Sequence, residues 1–249
     1  MKELPIIMSA ESVQAILDER KTVTRRVVTG NALKMLTICS PDDVARDLSP
    51  WKVGNHLWVK EDWKPGAWRN DGRVAIDYMA SPELTRTPWA YMGDQANNYI
   101  TRWLIELSDI GLIPNHDGRY EWQHGKSPFK WKRAMYMPRF ASRILLEITN
   151  IRVERVQDIT EEDAIAEGII SDYDYAYRAG EDNLFPCPWC NGYGVHEALG
   201  HDYGITEIDC TYCNTPKKRY RIIWDSLNAK RGYPWKNNDW VWRIEFRKV

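Results

Sequence analysis

Arg20-Lys21-Thr22-Val23-Thr24-Arg25-Arg26 is the stretch from which the fold is read, because the hydrophobic period changes on either side of it. Upstream, Ser9 is placed to cap a helix on which Val13, Ile16 and Leu17 recur at helical spacing. Downstream, residues 22–28 are rich in β-branched side chains and read as a strand. The junction gathers four basic side chains and two hydroxyls into seven residues. A helix end and a strand start present their side chains at one rim. Taken alone, such a run is a solvated basic corner.

Composition narrows the classes. A chain of 249 residues can bury a sizeable core, as one domain carrying insertions. Lys and Arg number 34 against 35 Asp and Glu, so any nucleic-acid site has to be a local patch. Hydrophobic residues make up 43%, as in soluble globular proteins. No apolar run has membrane length and the N-terminus lacks a signal-peptide core, so the expectation is a cytoplasmic protein with no membrane partner. Five cysteines in this setting argue against a disulfide framework, and Cys39 stands apart as a small buried residue. The 13 tryptophans suit cores and base stacking alike.

Along the chain, residues 4–8 read as a first strand with Pro5 at its start or on an edge. Residues 29–52 are loop-like, with a helix start at Ser40-Pro41-Asp42-Asp43. Residues 56–61 alternate as a strand with Leu57 and Val59 inward. Glu61 shares their face, so it is either a rim carboxylate or a buried one needing a partner. Residues 74–78 form a short strand. Residues 79–128 read as an insertion with a helix near 97–107. Lys126, Lys130, Lys132, Arg133, Arg139 and Arg143 then alternate with Phe129, Trp131, Tyr136 and Phe140. This is either a surface for a nucleic-acid backbone and its bases or a loop of packed aromatics and solvated charges. Residues 143–149 are a strand that continues or turns at Asn150. Thr160 and Asp163 have capping-box spacing for a helix over 161–167 that Gly168 stops. Tyr220, Ile223, Trp224 and Leu227 mark a helix ended by Gly232, and Asn237-Asn238-Asp239 turns into the last strand.

Cys187-Pro188-Trp189-Cys190 and Cys210-Thr211-Tyr212-Cys213 stand 19 residues apart, the arrangement of a four-thiolate zinc site. Each turn offers two sulfurs to one tetrahedral ion. The expected role is structural, because residues 171–216 hold few apolar side chains and metal binding would supply their folding energy. Cys190-Asn191-Gly192-Tyr193-Gly194 resembles half of a DnaJ-type zinc ribbon, and four thiolates leave no coordination place for His196 or His201. Lys217, Lys218, Arg219 and Arg221 follow, either as a nucleic-acid clamp or as solvent-facing charges.

Four segments together resemble the ASCH superfamily. Lys21 and Thr24 are similar to its Lys-x-x-Thr signature. Val53-Gly54-Asn55-His56-Leu57-Trp58-Val59 resembles its Gly-Asp and apolar strand, with Asn55 in place of Asp. Residues 156–168 resemble its strand and short helix, and residues 240–246 its final strand. The chain as a whole resembles phage-encoded members, although the matching segments cover under half of it. The resemblance implies an α+β fold: one PUA-like small β-barrel domain with flanking helices over residues 1–249, with insertions at 79–128 and, zinc-ribbon-like, at 171–216. It implies binding of RNA or a modified nucleoside. Members that hydrolyse N4-acetylcytidine use a Lys, a Thr and a Glu, which the register carries onto Lys21, Thr24 and Glu167. A non-catalytic RNA-binding module and a ribonuclease are the alternatives. Arg20, Arg25, Arg26, Lys130, Trp131, Lys132, Arg133 and Arg139 are the expected nucleic-acid contacts.

The chemistry sets its own conditions. A threonine hydroxyl attacks only when a base takes its proton. A lysine is that base only if desolvation or nearby cations lower its pKa. A carboxylate opposite can orient the lysine or pass the proton to the leaving amine. In a regular strand Lys21 and Thr24 point to opposite faces, so they meet only if the helix ends between them or Lys21 still belongs to its last turn.

Overall fold

Both elements read around Lys21 are present in a computed structural model that describes residues 1–69, 71–80, 89–116, 119–170, 187–190, 195–199 and 205–249. Helix α1 is Ala10–Leu17 and strand β2 is Val23–Val27. Ser9 caps α1, its hydroxyl accepting from Ser12 N at 3.3 Å. The chain leaves the helix through Glu19, a left-handed residue at φ 61°. Arg20 N and Lys21 N both donate to Ala15 O, so Lys21 still hangs on the last helical turn.

The fold is mixed α/β and divides into two compact units: Met1–Gln14 with His56–Leu146 and Lys248–Val249, and Ala15–Asn55 with Glu147–Arg247. In the first unit, β1 (Glu3–Ile7) runs parallel to β3 (His56–Lys60) and stands at a sheet edge, where the missing N–H of Pro5 is tolerated. A second sheet has the order β6-β5-β4-β7, from β4 (Trp63–Trp68), β5 (Arg73–Tyr78), β6 (Ala90–Tyr91) and β7 (Tyr120–Glu121). Every residue of β4 is buried. Trp63, Trp68, Val74 and Ile76 pack with Trp103 and Leu107 of α4 (Ala96–Ser108), the helix expected near 97–107. Trp68 stacks on Tyr120 with ring centres 4.6 Å apart. Much of the tryptophan excess therefore fills a core. A β-carbon at Gly66 would collide with the Asp77 carboxylate, which is why the centre of β4 carries a glycine.

Glu61 turns out to be the buried alternative. It is 1% exposed and receives two parallel hydrogen bonds of 2.9 Å from Arg143, whose guanidinium lies 4.0 Å from the Tyr78 ring centre. Burial still pushes the Glu61 carboxyl above its ordinary range, against the pull of Arg143.

In the second unit, β8 (Leu145–Arg155), β11 (Trp240–Lys248) and β2 lie side by side in that order. β8 passes straight through Asn150. β11 is antiparallel to β2, with Arg243 opposite Arg25 and Ile244 opposite Thr24. Residues 29–52, expected to be loop-like, carry two short helices, α2 (Gly30–Met35) and α3 (Pro41–Leu48). Ala32 is the one buried residue of α2, so no apolar period announced it. Ser40 caps α3 as read, accepting from Asp43 N at 3.2 Å. Thr160 caps α5 (Glu161–Ala166), and Gly168 ends it at φ 94°. The last helix, α6 (Pro216–Asn228), starts ahead of its apolar stripe because Thr215 caps it and Pro216 opens it. Leu227, expected on the buried face, is exposed. Val156, Ile159, Ala164, Tyr220, Trp224 and Val241 form the core between these elements. β9 (Val195–Leu199) and β10 (Ile205–Asp209) form an antiparallel hairpin between the two cysteine turns. Residues 171–186 of the expected insertion, Gly192, Gly194 and His201 lie outside the described residues. Among the described residues, no helix is long and apolar enough to cross a membrane.

Replacing Arg143 by Met leaves the Glu61 carboxylate enclosed without a counter-ion. Chemical denaturation should show a loss of about 3–5 kcal/mol, and Glu61→Met added to Arg143→Met should recover most of it. A loss below about 1 kcal/mol for Arg143→Met would mean the pair is solvated.

Candidate active site and candidate metal centre

Main-chain bonds bring Lys21 to Glu167 before any side chain acts. Thr22 N donates to Ala166 O at 2.9 Å, and Lys21 and Glu167 form an antiparallel bridge. Glu167 closes α5, and the next residue must be glycine for two reasons. Its φ is left-handed, and a β-carbon there would lie 2.8 Å from the Ala15 β-carbon and 3.2 Å from that of Lys21. The lysine stem packs over this bare backbone.

The Lys21 amine, 5% exposed, donates to Glu167 Oε2 at 2.5 Å and to Glu167 O at 2.7 Å. Arg25, on β2, donates from Nη1 to Glu167 Oε1 at 3.2 Å. Its remaining nitrogens reach Glu154 Oε1 and Asp163 Oδ2, each at 2.8 Å. Asp163 also accepts from Arg243 Nη2 at 2.7 Å, and Arg243 pairs in turn with Glu245. The Tyr220 hydroxyl donates to Glu167 Oε1 at 3.5 Å. Two buried cations thus share one carboxylate, and a tyrosine from α6 completes its shell.

The electrostatics follow the burial. Desolvation holds the Lys21 amine below the ordinary lysine range, although Glu167 pulls it back up. Burial acts on Arg25 in the same sense, but Glu167, Tyr220 and Glu154 hold it above its usual value. The Tyr220 phenol is raised well above normal by burial and then by Glu167. Asp163 resists the upward push of burial and stays low because Arg243 and Arg25 face it.

Thr24 is buried in β2, opposite Ile244. Among the described residues, no hydrogen bond joins it to Lys21 or Glu167. Arg20 donates to Gly168 O at 2.9 Å and to Asp18 at 3.0 Å, and Arg26 is half-buried. The other expected nucleic-acid contacts fall in the other unit. There Lys132 pairs with Glu106, Arg139 with Glu3, and Trp131 lies under the Lys64 amine, while Lys130 and Arg133 are exposed. Sequence reasoning missed Glu154, Asp163, Tyr220 and Arg243. Asp163 carried only a capping signal and Tyr220 only an apolar one. A depression of about 440 Å³ beside Asp42, Arg46, Trp51 and Lys52 shares no residue with this cluster.

The four cysteines of the paired turns are buried and come together. Their sulfurs all lie within 4.8 Å of one another, with Cys187 and Cys210 at 3.7 Å and Cys190 and Cys213 at 3.5 Å. Four thiolates about 2.3 Å from one ion would sit about 3.8 Å apart, so the spacing fits a single tetrahedral metal. Arg219 on α6 donates to Cys213 O at 2.8 Å and to Ile170 O at 2.7 Å, tying the second turn to the chain beyond α5.

Comparison with protein-family models, with curated proteins and with solved structures finds no match for this chain.

Replacing Glu167 by Gln removes the carboxylate that Lys21 and Arg25 share. Denaturation at neutral pH should show a loss of about 3–5 kcal/mol. Asp18→Asn, which breaks the exposed pair with Arg20, should change stability by under about 1 kcal/mol. Equal effects from the two variants would remove the special position of Glu167.

Proposed function

We propose that the chain is a PUA-like member of the ASCH superfamily and an amidohydrolase for N4-acylated cytosine, as a nucleoside or within RNA. The observation that carries this reading is the enclosed Lys21 amine, desolvated below its usual proton affinity and held 2.5 Å from Glu167 Oε2. A surface lysine stays protonated at neutral pH and cannot be a base. Burial shifts this one toward the neutral form, against the pull of Glu167.

In the proposed reaction, neutral Lys21 takes the hydroxyl proton of Thr24 as the oxygen adds to the acyl carbonyl carbon. Collapse breaks the C–N4 bond, and the proton passes from the Lys21–Glu167 pair to the leaving N4. Water then hydrolyses the acyl-threonine ester, releasing the acid and restoring the hydroxyl. The proposed step requires Lys21 to exchange its present bond to Glu167 O for one to Thr24 while keeping Oε2. Arg25 at Oε1 holds the carboxylate oriented. We assign zinc to Cys187, Cys190, Cys210 and Cys213. Four sulfurs complete its shell, so its contribution is to hold the two turns.

A second reading, a non-catalytic module for RNA or a modified nucleoside, is favoured by one observation. Both Glu167 oxygens and the Lys21 amine already have partners, and Thr24 is not joined to them.

The test is incubation with N4-acetylcytidine, following cytidine release. Thr24→Ala should abolish turnover and leave ligand binding within a few-fold. Lys21→Arg should abolish it too, because guanidinium keeps its proton. The base must be neutral, so kcat/KM should rise with pH on a limb whose midpoint lies below the ordinary lysine value of about 10.4. Turnover surviving in Lys21→Arg would remove the lysine as base. Tight nucleoside binding without hydrolysis would move the protein to the second reading. For the metal, elemental analysis should find one zinc per chain, and Cys190→Ser should lose it. A zinc-free protein purified without chelator would refute the assignment.

A further inference from the structure

The two cysteine turns carry an aromatic residue at the same position, just before the second cysteine: Trp189 in one and Tyr212 in the other. With the four sulfurs within 4.8 Å of one another, the rings come side by side, their centres 6.2 Å apart and tilted by 38°. Trp189 is 71% exposed, which leaves its indole to solvent between two clustered cysteines. Such an indole contributes little to a core.

Cations border the rings. The Arg221 guanidinium lies 5.3 Å from the Tyr212 ring centre and donates to the Tyr212 hydroxyl at 3.4 Å. Lys218 Nζ is anchored to Thr211 O at 2.9 Å and to Asn214 Oδ1 at 2.8 Å, both within or next to the second turn. Lys217 Nζ bonds to Gln157 O at 2.8 Å. All these acceptors are uncharged. Among the described residues, no carboxylate pairs with the side-chain nitrogens of Lys217, Lys218 or Arg221, although Lys217 N donates to Glu161 Oε2 at 2.7 Å. Arg139, Arg143 and Arg247, by contrast, are each paired with a glutamate.

An exposed indole and a half-buried phenol beside positive charge without counter-ions match a ligand with flat faces and regularly spaced negative charge. A duplex hides the faces of its bases, and an acidic peptide has charge without them. We propose that Trp189, Tyr212, Arg221 and Lys218 form a stacking platform for single-stranded nucleic acid, with a base on the Trp189 ring and phosphates at Arg221 and Lys218. Because the sulfurs hold both turns, the rings are ordered before the strand arrives, which lowers the cost of binding. The platform does not depend on hydrolysis at Lys21.

The experiment titrates the full, zinc-loaded chain against fluorescein-labelled oligouridylate and oligothymidylate, with a duplex of equal length alongside. Both single strands should bind more tightly than the duplex, and the stronger of the two names the natural strand. Trp189→Ala should weaken single-strand binding by about 5- to 150-fold. Trp189→Phe should retain most of it. Zinc content, thermal midpoint and deacylation of free N4-acetylcytidine should be unchanged in both variants. Arg221→Gln should reduce the slope of log affinity against log salt by about 0.7. Wild-type affinity in Trp189→Ala, duplex binding equal to single-strand binding, or no binding of either oligonucleotide would each overturn the platform.

Discussion

Two cations out of water have to share a counter-charge, and Glu167 provides it. An ion removed from water costs several kcal/mol unless its partner is close and well oriented, so Lys21 and Arg25 can be buried only where that carboxylate stands. The requirement reaches outward through the network. Arg25 must also satisfy Glu154 on β8 and Asp163 on α5, and Asp163 binds Arg243 on β11. One residue thereby ties the exit of α1, three strands and the end of α5, while Tyr220 adds α6. Loosening any one of these leaves a charge without its partner, so the arrangement is held as a whole.

The same network has two possible uses. A lysine with a weakened hold on its proton, beside a fixed carboxylate, is a general-base pair. A lysine whose bonds are all made is also a structural tie. Which use prevails depends on whether Lys21 can exchange the Glu167 carbonyl for another acceptor while keeping Oε2.

The local pattern was legible wherever a cap, a period or a spacing carried it. Ser9, Ser40 and Thr160 mark helix starts that the hydrogen bonds bear out. The cysteine spacing led to a real cluster of sulfurs. The meeting of Lys21 with Glu167 followed from a family register and from nothing in the intervening residues. α2 escaped notice because a helix with one buried side chain leaves no period to read. The network partners escaped because complementary charge between strands distant in sequence has no local signature. A Glu154, an Asp163 or an Arg243 looks like any other surface charge until the strands are paired. Glu61 shows the middle case: its strand face announced burial, while the identity of its partner, Arg143, did not follow.

The second unit is discontinuous, made of Ala15–Asn55 and Glu147–Arg247, with residues 56–146 intervening in the chain. Order of synthesis therefore separates the charges that must meet. Lys21 and Arg25 leave the ribosome before Glu154, Asp163 and Glu167 exist. Until then the carboxylates that accept from them in the fold are absent. Burial of the basic stretch therefore waits on the carboxylates of β8 and α5, which stand 129 to 146 residues further along the chain.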